Sequence, residues 1–260
     1  MSLLAWIIIF CLIGGALSVL AASLFLIVPE KIRAHLVPHL VSFAIGALLG
    51  AAFLALLPHA MENSRDIDVH VITMTVLFGV LGFFLLEKTV LWRHCHSAEC
   101  EAHVPDHIPP QNHAAGSLIL IGDALHNFVD GVLIAAAFLT DIHLGIVTAV
   151  AVAAHEIPQE VGDFVVLLHS GFSRKKALVY NLLSSLTTII GGILAYFSLS
   201  GVEGILPYVL AIAAASFIYI AVADLIPGLH KQVRPVETLQ QLVLIFSGVF
   251  VIYIAHSTLH

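Results

Sequence analysis

Eight runs of mostly apolar residues divide this chain, near residues 3–28, 39–57, 69–92, 116–139, 144–168, 177–199, 204–227 and 238–255. Each approaches the ~20 residues that a helix needs to cross a bilayer. In lipid the backbone polar groups must be satisfied within the segment, so such runs are helices. The expected fold is therefore an all-α membrane protein of eight transmembrane helices. Composition agrees: 10% of the residues are charged and 60% hydrophobic, with a mean hydropathy of +1.03. A soluble domain of this size would carry about 25% charge. The runs leave little chain for a separate soluble domain, so residues 1–260 read as one transmembrane domain. The formal charge of −7 says little about partners, because many of the acids lie inside the runs. Beyond the lipid bilayer, the chain has no basic surface for nucleic acid.

The first run is expected to stay as a helix, since it is too long for a signal peptide and no Lys or Arg precedes it. Orientation follows from the ten Lys and Arg residues. Lys31 and Arg33 lie in the first connection, Lys88 and Arg93 flank the third, Arg174, Lys175 and Lys176 lie in the fifth, and Lys231 and Arg234 in the seventh. Only Arg65, in the second connection, falls on the other side. The odd connections are then cytoplasmic and both termini outside.

Two stretches put ionisable, metal-liganding residues where a membrane protein least tolerates them. The first runs Asp123-Ala-Leu-His126-Asn127-Phe-Val-Asp130-Gly131, in the fourth segment. The second runs His155-Glu156-Ile-Pro158-Gln159-Glu160-Val-Gly162-Asp163, in the fifth. A charged group at such depth costs about 2.5–3.5 kcal/mol on insertion scales and marks a substrate or ion path. Imidazole, carboxylate and amide without thiolate point to a borderline divalent cation.

Residues four apart share a helix face. His126 and Asp130 therefore converge, as do His155 and Gln159, with Glu156 and Glu160 on the neighbouring stripe. Only a short outer connection around Asp141-Ile142-His143 joins the two segments, so they are adjacent and antiparallel. One cation position can be bounded by His126, Asp130, His155 and Gln159. A second, one residue round each helix, can be bounded by Asn127, Glu156 and either Asp130 or Glu160. Pro158 removes a backbone hydrogen bond in mid-helix and frees the carbonyl near Ala154. Gly131 and Gly162 permit close helix approach.

The long third connection, residues 93–115, carries His94, Cys95, His96, Cys100, His103, His107 and His113 among acidic residues. In the cytoplasm its thiols stay reduced. It reads as a weak, multi-site metal-binding loop, with no closed-finger spacing. Cys11 reads as a small core residue. There is also an internal echo. Ala55-Leu-Leu-Pro58-His59 ends the second segment, and Asp224-Leu-Ile-Pro227-Gly-Leu-His230 ends the seventh. Because those segments run in opposite senses, the echo has the form of an inverted repeat.

The two polar stretches resemble the fourth- and fifth-helix signatures of the ZIP (Zrt/Irt-like) metal transporters. The eight segments, outside termini and His-rich third connection extend the resemblance over the whole chain. It implies a single ZIP-type domain taking up Zn²⁺, with Fe²⁺, Mn²⁺ or Cd²⁺ as further substrates. It also implies alternating access, a two-metal centre between helices 4 and 5, a homodimer, and no organic cofactor. Carried over residue by residue, one metal falls to His126, Asp130, His155 and Gln159. The other falls to Asn127, Glu156 and the shared Asp130 or Gln159. The departure is Gln159, where a large branch of the family has histidine and other members glutamate. Ala55 cannot ligate, leaving Asn181 and Ser185 of the sixth segment as substitutes.

Two other classes of function compete. His155-Glu156 opens an intramembrane metalloprotease motif, H-E-x-x-H, but Gln159 stands where the second histidine belongs. A membrane metal sensor would use the loop and leave the central polar residues without a task. Lack of an extracellular domain suits a bacterial plasma membrane.

Overall fold

The computed structural model describes residues 1–25, 27–62, 68–94, 113–230 and 234–259. Among these residues there is no strand, and eight long helical rods follow in chain order. They are α1 (Leu3–Phe25), α2 (Lys31–Glu62), α3 (Val69–His94), α4 (His113–Thr140), α5 (Ile142–His169), α6 (Arg174–Leu199), α7 (Leu206–Leu229) and α8 (Pro235–Leu259). Seven, all but α5, are long and apolar enough to cross a membrane. α5 is 28 residues long, about 42 Å at ~1.5 Å per residue. What sets it apart is the polar run from His155 to Asp163. Arg65, Lys231 and the Cys95–His107 stretch of the expected metal-binding loop lie outside the described residues.

α4 and α5 form the centre. α4 packs against α6, α1 and α7, and α5 against α1 and α2, while α2 pairs with α8 and α3 with α7. The most apolar windows of α3 and α8 are only 6% and 11% buried, against 61% for α2. These two helices are therefore peripheral, and their outward faces carry Phe78, Phe246 and Phe250, each more than 60% exposed. Water would not stabilise such a surface, but hydrocarbon would.

Glycine sets the closest helix contacts. A Cβ on Gly131 of α4 would lie 1.9 Å from the Thr188 carbonyl oxygen of α6, and one on Gly191 2.1 Å from that of Phe128. Only hydrogen lets these backbones approach so far. Gly162, expected to serve similarly, has nothing within 4 Å of its Cβ position and is exposed. Cys11 is fully buried against α6 beside Gly192, as a core residue.

Backbone conformation deepens the echo between α2 and α7. α2 opens into a π-helical stretch at Ala51–Leu56, and α7 does so at Ile220–Leu225. Each ends two residues before the proline, Pro58 or Pro227. Proline lacks an N–H and its ring crowds the carbonyl four residues back. That carbonyl, Leu54 or Ala223, lies inside the widened stretch, which makes room for the ring. The sequence likeness thus extends to a matched irregularity.

α4 ends at Thr140 and α5 begins at Ile142, with Asp141 as the only residue between. Asp141 caps α5: its Oδ1 accepts from the N–H groups of His143 at 2.8 Å and Leu144 at 3.0 Å. So tight a reversal makes the helices antiparallel neighbours and brings their polar runs to the same depth.

Candidate metal centre

His126 and Asp130, one turn apart on α4, meet His155 and Glu156, consecutive on α5. His126 Nε2 stands 3.3 Å from His155 Nε2, 3.7 Å from Asp130 Oδ2 and 3.4 Å from Glu156 Oε1. His155 Nε2 stands 3.3 Å from Asp130 Oδ2 and 3.6 Å from Glu156 Oε1. Ligand atoms ~2.0–2.2 Å from a zinc ion at tetrahedral corners are about 3.3–3.6 Å apart. The five distances above, 3.3–3.7 Å, lie close to that spacing.

Hydrogen bonding leaves the two carboxylates of this group bare, while the two Nε2 atoms have only each other. The Nδ1 of His155 lies 3.1 Å from the Ala151 carbonyl oxygen. A carbonyl only accepts, so Nδ1 carries the proton and Nε2 turns its lone pair into the cluster. The Phe217 ring of α7 packs edge-on at 6.2 Å and fixes the imidazole plane. The carboxylate oxygens of Asp130 and Glu156 are buried with no hydrogen-bond partner. Lone pairs pointed at each other in a dry interior repel, and buried unpaired charge is expensive. A divalent cation at the shared point would resolve both. The His126 side chain keeps 25% exposure, so the cluster is open on that side.

Asn127 and Glu160, also expected as ligands, turn elsewhere. Asn127 is adjacent to His126 but about 100° round the helix, and it faces α6. Its Nδ2 donates to Asp123 Oδ1 at 2.9 Å, and its Oδ1 accepts from Thr188 Oγ1 at 2.8 Å. Gln159 is half-buried one turn beyond His155, on the same face of α5. Glu160 is fully buried, and its ligand oxygen falls within 4.8 Å of one on Asp123 and one on Asp163, not with the histidines. Asn181 is fully buried with both amide atoms unpartnered, while Ser185 Oγ is spent on the Leu182 carbonyl at 3.1 Å.

Sequence reasoning missed the seam between α4 and α6. Ser184 Oγ donates to Asp123 Oδ2 at 2.5 Å, and Thr187 Oγ1 to the Ala124 carbonyl at 2.6 Å. With Thr188 on Asn127, this forms a polar ladder leading to the Gly131 contact. The signal was available: Asp123 and Asn127 are four apart on one helix, Ser184 and Thr188 four apart on the other.

Remaining singled-out residues lie away from the cluster. His59 is buried near the C-terminal end of α2, its Nδ1 2.9 Å from the Ala55 carbonyl oxygen. Asp224 and His230 of the internal echo are exposed.

Comparison with known proteins bears on what this arrangement serves. A family model described as ZIP zinc transporter matches residues 92–256. A protein named zinc transporter ZIP13 from Pongo abelii is 34% identical over 224 residues, covering 82% of this chain and 64% of that relative's length. The ZIP13 protein of Homo sapiens is 32% identical, covering 82% of this chain and 68% of the relative. That of Gallus gallus is 29% identical over 97% of this chain and 85% of its own. These relatives are animal proteins and lend no support to the expected bacterial membrane.

Proposed function

This chain belongs to the ZIP zinc transporter family, and we propose that it carries Zn²⁺ into the cytoplasm through the cluster between α4 and α5. The family is one of transporters, not enzymes, and the chain is an integral, multi-pass membrane protein. The metalloprotease and sensor readings draw no support from relatives named as zinc transporters.

One observation carries the proposal. Two imidazoles and two carboxylates, on facing helices within a membrane-sized bundle, each offer a ligand atom within 4.8 Å of the others, and the carboxylate oxygens have no hydrogen-bond partner. In a purely structural role the two carboxylates would have only the two histidines to offset their burial. Asp130 and Glu156 offset the charge of an entering ion as it sheds water, and the histidine nitrogens select borderline ions over hard ones. No thiolate holds the ion, so it can leave. Gln159, one turn along, supplies a neutral amide that an ion could take during exchange.

In this reading α5 is the eighth span, the termini are outside, and the cycle is alternating access. Asn127 and Thr188 tie α4 to α6, so those helices move together. Uptake of Zn²⁺ by purified protein in liposomes tests the assignment. Asp130→Ala or His155→Ala should abolish uptake while the chain still inserts, whereas deleting residues 95–107 should change only its rate. Uptake lost with the loop and kept without Asp130 would move the site out of the helix pair.

A further inference from the structure

Two turns along the same helix pair lies a second group of ionisable residues that the transport chemistry above does not use. Asp123 is seven residues before Asp130 on α4, and Asp163 seven beyond Glu156 on α5, each about 10 Å away at ~1.5 Å per residue. Because the helices are antiparallel, both displacements run toward the end where α4 begins and α5 finishes. Asp123, Glu160 and Asp163 each offer an oxygen within 4.8 Å of the others. Oxygen ligands ~2.1–2.4 Å from one ion span about 3.0–4.8 Å between neighbouring and opposite positions.

We propose that Asp123, Glu160 and Asp163 form a second divalent-cation site, of oxygen donors alone, that takes the ion on the cytoplasmic side of the histidine cluster. Its direction rests on the transport reading above; its existence as a binding site does not. Glu160 carries the argument. It is 0% exposed, and neither carboxylate oxygen has a hydrogen-bond partner. A protonated carboxyl would need an acceptor for its O–H, and an ionised one a donor; Glu160 has neither. An ion among the three carboxylates supplies the missing partner.

Two further observations agree. Among the described residues no Lys or Arg pairs with any of the three; the one such pair is Arg234 with Glu237. Asp123 is only 5% exposed and is aimed by Asn127 Nδ2 and Ser184 Oγ, so one ligand is preorganised. Asp163 is half-buried, which gives the site an open side. Carboxylate oxygen alone is a harder donor set than the mixed cluster above, so Zn²⁺ is held more loosely. A looser site nearer the cytoplasm receives the ion and lets it go.

Zn²⁺ binding to the purified full-length chain by equilibrium dialysis tests this, with the loop's contribution common to every variant. Glu160→Gln should bind one Zn²⁺ fewer per chain than wild type, from the weaker class. Asp130→Ala should lose one from the tighter class, and the double variant should lose both. Zn²⁺ uptake by Glu160→Gln should fall about tenfold. If Glu160→Gln does not fold, Asp163→Asn is counted in its place. A variant that binds as many Zn²⁺ as wild type overturns the proposal, whatever its uptake rate, and means that protons neutralise the carboxylates. Full uptake by Asp130→Ala would instead sink the transport reading and leave the count of a second site standing.

Discussion

The two clusters on α4 and α5 are built by the same helices, two turns apart, yet they solve opposite problems. The upper one, His126, Asp130, His155 and Glu156, mixes nitrogen with oxygen, and none of its carboxylate oxygens has a hydrogen-bond partner. In the lower one, oxygen is the only donor, and Asp123 is tied by hydrogen bonds to α6 through Asn127 and Ser184. Rotation about the helix axis makes the difference. His126 and Asn127 are neighbours in sequence, but one faces α5 and the other α6. A metal path with graded affinity needs no new helix, only a change in the residues that successive turns present.

The largest effect that would break this comparison is on charge in the upper cluster. Glu156→Gln keeps the shape and one oxygen donor but removes a charge that offsets the cation. Zn²⁺ uptake at limiting metal should fall more than about 100-fold, beyond the 10–100-fold typical of supporting residues. Measured in liposomes beside Glu160→Gln, it should be the more severe of the two. Equal losses would mean that the clusters act as one site.

Much of this was legible in the sequence because lipid is a strict solvent. Polar groups inside apolar runs are conspicuous, and four-residue spacing identifies the faces of His126–Asp130 and His155–Gln159. Spacing does not say how far each helix is rotated toward its neighbour. Two consecutive residues, His155 and Glu156, therefore share the upper cluster. Glu160 joins Asp123 and Asp163 for the same reason. The ladder on α6 stayed hidden because Ser184 and Thr188 are neutral hydroxyls, common in membrane helices and silent until a partner is seen. The π-helical stretches before Pro58 and Pro227 depend on backbone geometry that residue types alone do not report.

A middle-sized effect would sharpen the comparison from the α6 side. Thr188→Val is nearly isosteric and removes the donor to Asn127 Oδ1, now 2.8 Å away. The buried amide oxygen then lacks a partner, at about 1–3 kcal/mol. Asn127 also holds Asp123, so the disturbance should reach the lower cluster and spare the upper. In Zn²⁺ dialysis the weaker class should lose about tenfold in affinity, with the tighter class unchanged. A shift in the tighter class alone would place the seam under the histidines instead.

The smallest effect concerns Asp141, a carboxylate with two N–H partners, which therefore calibrates the other two groups. Partial burial works to raise its pKa, but the N–H groups of Leu144 and His143 outweigh that and hold the carboxyl below its ordinary value. A group with a lowered folded pKa stabilises the fold fully above its unfolded value, ~3.9 for aspartate. That contribution is lost as pH falls through the lowered folded value. Asp141→Ala should cost about 1 kcal/mol, the usual loss for an N-cap, with Zn²⁺ binding unaltered. Thermal unfolding of the purified protein at pH 7 should show the deficit. Repeating it at successively lower pH, down through the folded pKa, should bring variant and wild type together as the cap is protonated. A gap that stays constant through that range would mean that Asp141 acts by shape and not by charge. The contrast is with Glu160, where neutralising a carboxylate that lacks partners should change metal binding and leave the fold standing.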